Sequence, residues 1–163
     1  TSIMNLEFNN NNFIGGSTGF NFSNAYQIYS GLTFAGNSYQ EAVLFQGDKS
    51  ASFTKITFSF EVVDSESNLF LLRDPVLTEQ TLKLTQVTFR YIRGQGTLIK
   101  VTDFNISIYT SIFMKLTIDR CLIDQTFTPV TQLGLLNFSS NLIKDILITG
   151  VDTLTYSRLE QWI

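Results

Sequence analysis

Leu32-Thr33-Phe34 is a triplet that the chain keeps restating. Leu6-Glu7-Phe8, Ile56-Thr57-Phe58, Val87-Thr88-Phe89, Leu116-Thr117-Ile118 and Ile146-Leu147-Ile148 share its apolar–other–apolar form. Their first residues stand at 6, 32, 56, 87, 116 and 146, a recurrence every 24 to 31 residues. Self-similarity at such a period is the mark of a stacked architecture. Alternation with a period of two is the mark of a strand with one buried face.

A second strand type precedes the triplets, with Phe20, Val43, Phe70, Ile99 and Leu136 in equivalent places. Phe53 to Phe60 reads as one alternating strand. Gly15-Gly16, Gly36-Asn37-Ser38, Gly47-Asp48-Lys49-Ser50, Arg73-Asp74-Pro75, Arg93-Gly94-Gln95-Gly96 and Phe127-Thr128-Pro129 supply turns between strands. The hairpin pairs Asn-Gly and Asp-Gly are absent. An antiparallel β-sandwich is the alternative fold, but it has no reason to place one triplet at a near-constant phase.

The expected fold is therefore all-β: a right-handed parallel β-helix of about six coils, roughly 30 Å long. The coils occupy residues 1–153, and residues 154–163 form a capping or contact segment that holds Trp162. One inner column comprises Leu6, Leu32, Ile56, Val87, Leu116 and Ile146; another comprises Phe8, Phe34, Phe58, Phe89, Ile118 and Ile148. Thr33, Thr57, Thr88 and Thr117 form an outward ladder.

Composition agrees with strands. Phe (15) and Tyr (6) far outnumber Trp (1), and aromatic and branched side chains suit a pleated surface. The 163 residues suffice for one domain with a real core. Charged residues are only 15%, with a net charge of −3, so polar uncharged side chains must cover the surface. No basic stripe attracts nucleic acid. No apolar run is long enough to span a membrane as a helix. No signal peptide is visible and the chain does not start with Met, which suggests a processed chain or part of a longer one.

The run Phe8-Asn9-Asn10-Asn11-Asn12-Phe13-Ile14-Gly15-Gly16-Ser17-Thr18-Gly19-Phe20 resembles a coil motif of right-handed parallel β-helix surface proteins. These are the pectate-lyase-like repeats of bacterial and protist extracellular proteins. The motif is clear in residues 6–22, and later units keep only the strands. The resemblance implies an extracellular or cell-surface location and a structural or adhesive role.

Catalytic chemistry finds little support in the residues. His is absent, which removes the commonest general base and the commonest metal ligand. Asp119 and Asp124 flank Cys121, and Asp103, Asp145 and Asp152 stand alone. They read as single solvated acids rather than an acid–base pair, and Cys121 as a small buried thiol. No cofactor, metal or catalytic residue is expected. Asn21, Asn105 and Asn137 each open an Asn-x-Ser sequence and are candidate glycosylation sites on outward positions. Tyr26, Tyr29, Tyr39, Tyr91, Tyr109 and Tyr156 are candidates for a sugar-binding strip.

The expected function is a non-enzymatic, glycosylated structural module of a filament or larger surface assembly. Its partners would be other copies or a longer parent chain joined through the coil ends, with glycans as further candidates. A carbohydrate-binding or adhesive module is the alternative, and a polysaccharide lyase or hydrolase comes after it.

Overall fold

The structure is a computed structural model that describes residues 2–23, 25–76, 79–119, 122–126 and 136–149. All regular structure among these residues is strand. The chain winds coil by coil. The first turn holds β1 (Ser2–Met4), β2 (Glu7–Asn9), β3 (Asn12–Ile14) and β4 (Thr18–Phe22). The second holds β5 (Gln27–Ser30), β6 (Thr33–Ala35), β7 (Ser38–Gln40) and β8 (Val43–Gly47). The third holds β9 (Ala51–Thr54), β10 (Thr57–Ser59), β11 (Val62–Val63) and β12 (Asn68–Arg73). The fourth holds β13 (Gln80–Thr85), β14 (Thr88–Arg90), β15 (Arg93–Gly94) and β16 (Ile99–Thr102). The fifth holds β17 (Phe104–Tyr109), β18 (Ile112–Ile118) and β19 (Ile123–Thr126); β20 (Leu136–Ser139) and β21 (Leu142–Ile148) follow.

Each strand pairs in parallel with its counterpart in the next turn. The sheets run β1-β5-β9-β13-β17-β20, β2-β6-β10-β14-β18 with β3-β7-β11-β15-β18, and β4-β8-β12-β16-β19. The protein is thus a parallel β-solenoid of about five turns, each strand about 4.8 Å from the next. Every strand pair among the described residues is parallel, which excludes the antiparallel sandwich.

Left-handed backbone makes the corners. Asn5, Gly31, Lys55, Gln86, Thr110 and Ser140 occupy the first corner of successive turns, with φ from 48° to 66°. Asn10, Gly36, Phe60, Tyr91, Lys115 and Asp145 occupy the second, with φ from 55° to 70°. One such residue re-aims the strand without leaving the ladder: the Lys55 and Tyr91 amides still donate to Thr85 and Met114 carbonyls in the next turn. An L-residue pays roughly 1–2 kcal/mol for this conformation and glycine pays none.

Between the corners, alternation fills the interior with columns. Phe8, Phe34, Phe58, Phe89 and Phe113 stack face to face at 5.0–5.2 Å. Phe20, Phe45 and Phe70 form a second column at 4.9 and 5.1 Å, and Tyr29 on Phe53 a third at 4.7 Å. Columns meet edge to face, as between Phe45 and Phe53 at 4.8 Å and 76°, the arrangement that ring quadrupoles favour. Where an aromatic ring needs space inside, its neighbour is small: the Phe22 ring lies against Gly47, whose missing Cβ makes the room.

The register corrects several expectations. The stack has about five turns rather than six. Phe89 pairs with Phe113, not Ile118, so the fifth repeat of the triplet is Ser111-Ile112-Phe113. Leu116-Thr117-Ile118 belongs one side further on, where Thr117 meets Arg93 and Ile118 meets Gly94. Leu116 and Ile146 do pair, as do Ile118 and Ile148, but in this other column. The threonine ladder is therefore Thr33, Thr57 and Thr88, continued by Ile112 rather than Thr117. In the second strand family Phe45, not Val43, stands between Phe20 and Phe70. Ile123 follows Ile99 in that family, and Leu136 pairs instead with Ile106 in another sheet. Phe53 to Phe60 is not one strand, because the chain turns at Lys55 and again at Phe60. Arg93-Gly94 is strand rather than turn. The segment 154–163 and Cys121 lie outside the described residues.

Candidate functional site at the second corner

The second corner carries an exposed stack of two aromatic rings and a lysine. Asn10 and Gly36 mark the corner in the first two turns, but Phe60, Tyr91 and Lys115 take the place in the next three. A corner side chain points outward, so stacking turns brings these three into line. The Phe60 and Tyr91 rings are 4.8 Å apart and parallel to within 2°. The Lys115 ammonium sits 5.0 Å over the opposite face of the stack, on Tyr91, in cation–π contact. Phe60 is 58% and Tyr91 38% exposed. Beside them the outward residues of the adjoining strands, Val62, Arg93 and Thr117, complete a shallow groove of about 440 Å³.

Beneath this groove lies a buried polar network. Asn11 and Asn37 follow the second corner in the first two turns, and their backbone N–H groups find side-chain acceptors. In each case the acceptor belongs to the next turn: Asn11 N–H donates to Asn37 Oδ1 at 2.8 Å, and Asn37 N–H to Glu61 Oε1 at 3.3 Å. The Asn37 amide also donates to the Phe8 carbonyl at 2.9 Å and to both Glu61 oxygens at 3.2 Å. Tyr39 donates its hydroxyl to Glu61 Oε2 at 2.6 Å. Glu61 is fully buried. Burial pushes its carboxyl pKa up, and hydrogen bonds from Tyr39 and Asn37 draw it back only in part. Burial and the facing Glu61 push the Tyr39 hydroxyl up as well. Ile92, Leu116 and Ile146 replace the polar residues later in this column, as the strand register requires.

The first corner repeats the device near the other end. Val87 N–H donates to Ser111 Oγ at 3.1 Å, and Ser111 N–H to Asn141 Oδ1 at 2.8 Å. The Asn141 amide donates to the Ile108 carbonyl at 3.0 Å. These ladders join turns and hold corner geometry.

The other sequence candidates are dispersed. Asn21 is exposed on the outer face of β4, and its Oδ1 accepts the Ser23 hydroxyl at 2.5 Å. Asn105 and Asn137 are half-buried on β17 and β20, and the Asn137 amide donates to the Tyr109 hydroxyl at 2.9 Å. Asp119 accepts a hydrogen bond from Thr149, Asp103 and Asp145 stand at left-handed turn positions, and Asp124 is on β19. Asp152 lies outside the described residues. No group of three metal-ligating side chains is brought together among the described residues. The tyrosine strip does not form: Tyr29 and Tyr39 are core, the Tyr29 hydroxyl being pushed up to about 12 by burial. Tyr109 is half-buried, Tyr26 stands apart and exposed, and Tyr156 lies outside the described residues. Among the described tyrosines, Tyr91 alone joins a second exposed ring, and its partner is Phe60, the last residue of the run Phe53 to Phe60.

No helix among the described residues is long and apolar enough to cross a membrane. No protein-family profile matches the sequence, and no curated protein is significantly similar to it. The β-solenoid assignment rests on the coil geometry itself.

Proposed function

We propose that this solenoid is a non-enzymatic structural module of an extracellular or cell-surface assembly, joined through its first turn to a further coil of the same kind. The observation that carries the reading is the state of that first turn. Its strands β1 to β4 are paired on one side only among the described residues. The inner columns run out to this edge: Phe8 is stacked on Phe34 and Phe13 on Tyr39, and both remain only partly buried. Leu6, at the head of its column, is 43% exposed. An unpaired edge above an unfinished core is a template for another parallel strand layer. The next coil belongs to a longer parent chain or to another copy.

A weakly charged surface and the exposed sequon at Asn21 accord with a glycosylated surface protein, the sequons at Asn105 and Asn137 being half-buried. The coil geometry and the Phe8–Phe20 motif accord with a place among pectate-lyase-like surface proteins of bacteria or protists. Light scattering and electron microscopy test the assembly. The chain should associate as its concentration rises, and Leu6→Lys with Phe13→Lys should abolish this while leaving the far turns folded. Monomers at every concentration, with or without the substitutions, overturn joining between copies; an intact mass of the native protein decides for or against a longer parent chain. Turnover of a polyuronate would overturn the non-enzymatic part.

A further inference from the structure

We propose that the coil received by the first turn is the far end of a second copy of this chain, stacked head to tail. Strands β20 and β21 of one copy then pair in parallel with β1, β2 and β3 of the next. This rests on the reading of the first turn as a joining edge, and it commits that edge to one occupant.

Both ends are unfinished. Like the first turn, β20 and β21 are paired on one side only among the described residues. Ile3, Phe8 and Phe13 at one end, and Phe138, Ile143 and Ile146 at the other, pack on the core and remain only partly buried. Met4 and Leu6 are exposed beside the first set, Leu142 and Leu147 beside the second.

The two ends share one frame. Register places the inward residues at 3, 8 and 13 in the first turn and at 29, 34 and 39 in the second. They recur at 53, 58 and 63, at 84, 89 and 94, and at 108, 113 and 118. On β20 and β21 they stand at 138, 143 and 148. Each step spans one left-handed corner, Asn5 and Asn10 at the first turn and Ser140 and Asp145 at the last strands. A second copy laid on β20 and β21 thus sets Ile3 on Phe138, Phe8 on Ile143 and Phe13 on Ile148, with every corner over a corner. A slip of one residue would turn each inward side chain out, so an identical frame at both ends is what stacking requires.

The backbone ladder carries on across such a junction. The Asn5 N–H donates to the Ser30 carbonyl, and the same bond recurs down to Thr110 and Ser139; the next step joins Ser140 to Met4 of the second copy. The returning bond, Thr33 N–H to the Leu6 carbonyl, recurs down to Leu142 and Ser111; the next joins Glu7 of the second copy to Asn141. Glu7 is the one charged side chain of the first turn. It comes to lie beside Leu142 and diagonal to Lys144, an attractive placement.

Head-to-head contact between two first turns fails the same test, because the strands would run antiparallel. Aligning Phe8 with Phe8 sets the left-handed Asn10 against Leu6, which is not left-handed. Aligning Asn5 with Asn10 sets inward Phe8 against outward Glu7. Head-to-tail contact is heterologous and does not close, so it builds filaments rather than dimers.

Cross-linking tests the register at exposed, outward positions that leave the core intact. Glu7→Cys and Leu142→Cys are made as separate chains, each with Cys121→Ser, and oxidised alone and mixed. Neighbouring strands stand about 4.8 Å apart, within the span of a disulfide. The mixture should shift to twice the chain mass as the mixed dimer, with yield rising with concentration, while each chain alone stays monomeric. One chain carrying both substitutions should give a ladder of multimers. Dominant Glu7→Cys like pairs would mean head-to-head contact, which overturns this proposal and spares the joining edge. Equal amounts of all three dimers would mean random encounter, and overturn it as well. Monomers at every concentration overturn it too, and the joining edge then stands or falls on the intact mass of the native protein.

Discussion

At the scale of single residues, the solenoid is governed by what its corners demand. Among the described residues the first- and second-corner series hold twelve left-handed positions, of which Gly31 and Gly36 are glycine. Lys55 is exposed and sits directly between Gly31 and Gln86 in the first-corner series. Lys55→Gly should therefore stabilise the fold by about 1 kcal/mol, a rise in melting temperature of about 2–4 °C for a domain of this size. The reverse change should hurt: at Gly31 an added Cβ meets the Asn5 side chain and inherits φ 66°, so Gly31→Ala should lower the melting temperature. Glu61 gives a second residue-level prediction. Its folded pKa is raised by burial, so between the ordinary carboxylate value and that raised value the folded chain binds more protons than the unfolded one. The stabilisation is present in full below the ordinary value and is lost as pH rises through the folded one. Urea unfolding across that window should show stability decreasing toward neutral pH. Glu61→Gln, which cannot ionise, should flatten this dependence; an unchanged slope in the variant would show that another group is responsible.

At the scale of strands and columns, energy is concentrated in the stacked rings. Phe58 is fully buried with Phe34 on one face and Phe89 on the other. Phe58→Ala should cost about 3–5 kcal/mol, whereas Phe8→Ala, at a half-buried ring stacked on one face, should cost clearly less. Chemical denaturation of the two variants checks the ordering. This same scale explains what the sequence disclosed. Apolar alternation at a near-constant period was enough to reveal strands, parallel stacking and the columns through Phe89. It misled after that point because β18 bends through the corner at Lys115 as one strand and carries two apolar sets, Phe113 and then Leu116 with Ile118. Either set resembles the triplet, and loops of unequal length leave no fixed spacing to choose between them. Val43 and Phe45 posed the same ambiguity on β8, two residues apart. The candidate site was hidden for a related reason. Ser59-Phe60 continues the alternation of Thr57-Phe58 perfectly, and nothing in the local sequence announces that residue 60 turns the chain and swings its ring outside. The buried Asn37 and Glu61 were hidden too, since their partners lie one turn away rather than nearby in sequence.

At the scale of the whole molecule, a solenoid is nearly one-dimensional: each turn is stabilised by its neighbours, and stability is distributed along the axis. The third and fourth turns have neighbours on both sides and inner rings with no exposure, as at Phe58 and Phe89. The first turn has a neighbour on one side, and its inner residues Ile3, Phe8, Phe13 and Phe20 are only partly buried. Hydrogen exchange should therefore be graded, with β9 to β16 slowest and β1 to β4 opening first. That gradient connects stability to the proposed assembly. If the first-turn edge accepts a coil from another copy, raising the protein concentration should slow exchange in β1 to β4 and leave the central turns unchanged. Leu6→Lys, placed at the edge, should remove this concentration dependence. Selective protection demands a contact at that edge, because association elsewhere on the surface would slow exchange in other strands instead. Rates in β1 to β4 that stay fast and constant across concentrations in which the chain associates would locate the contact elsewhere and end the case for stacking between copies.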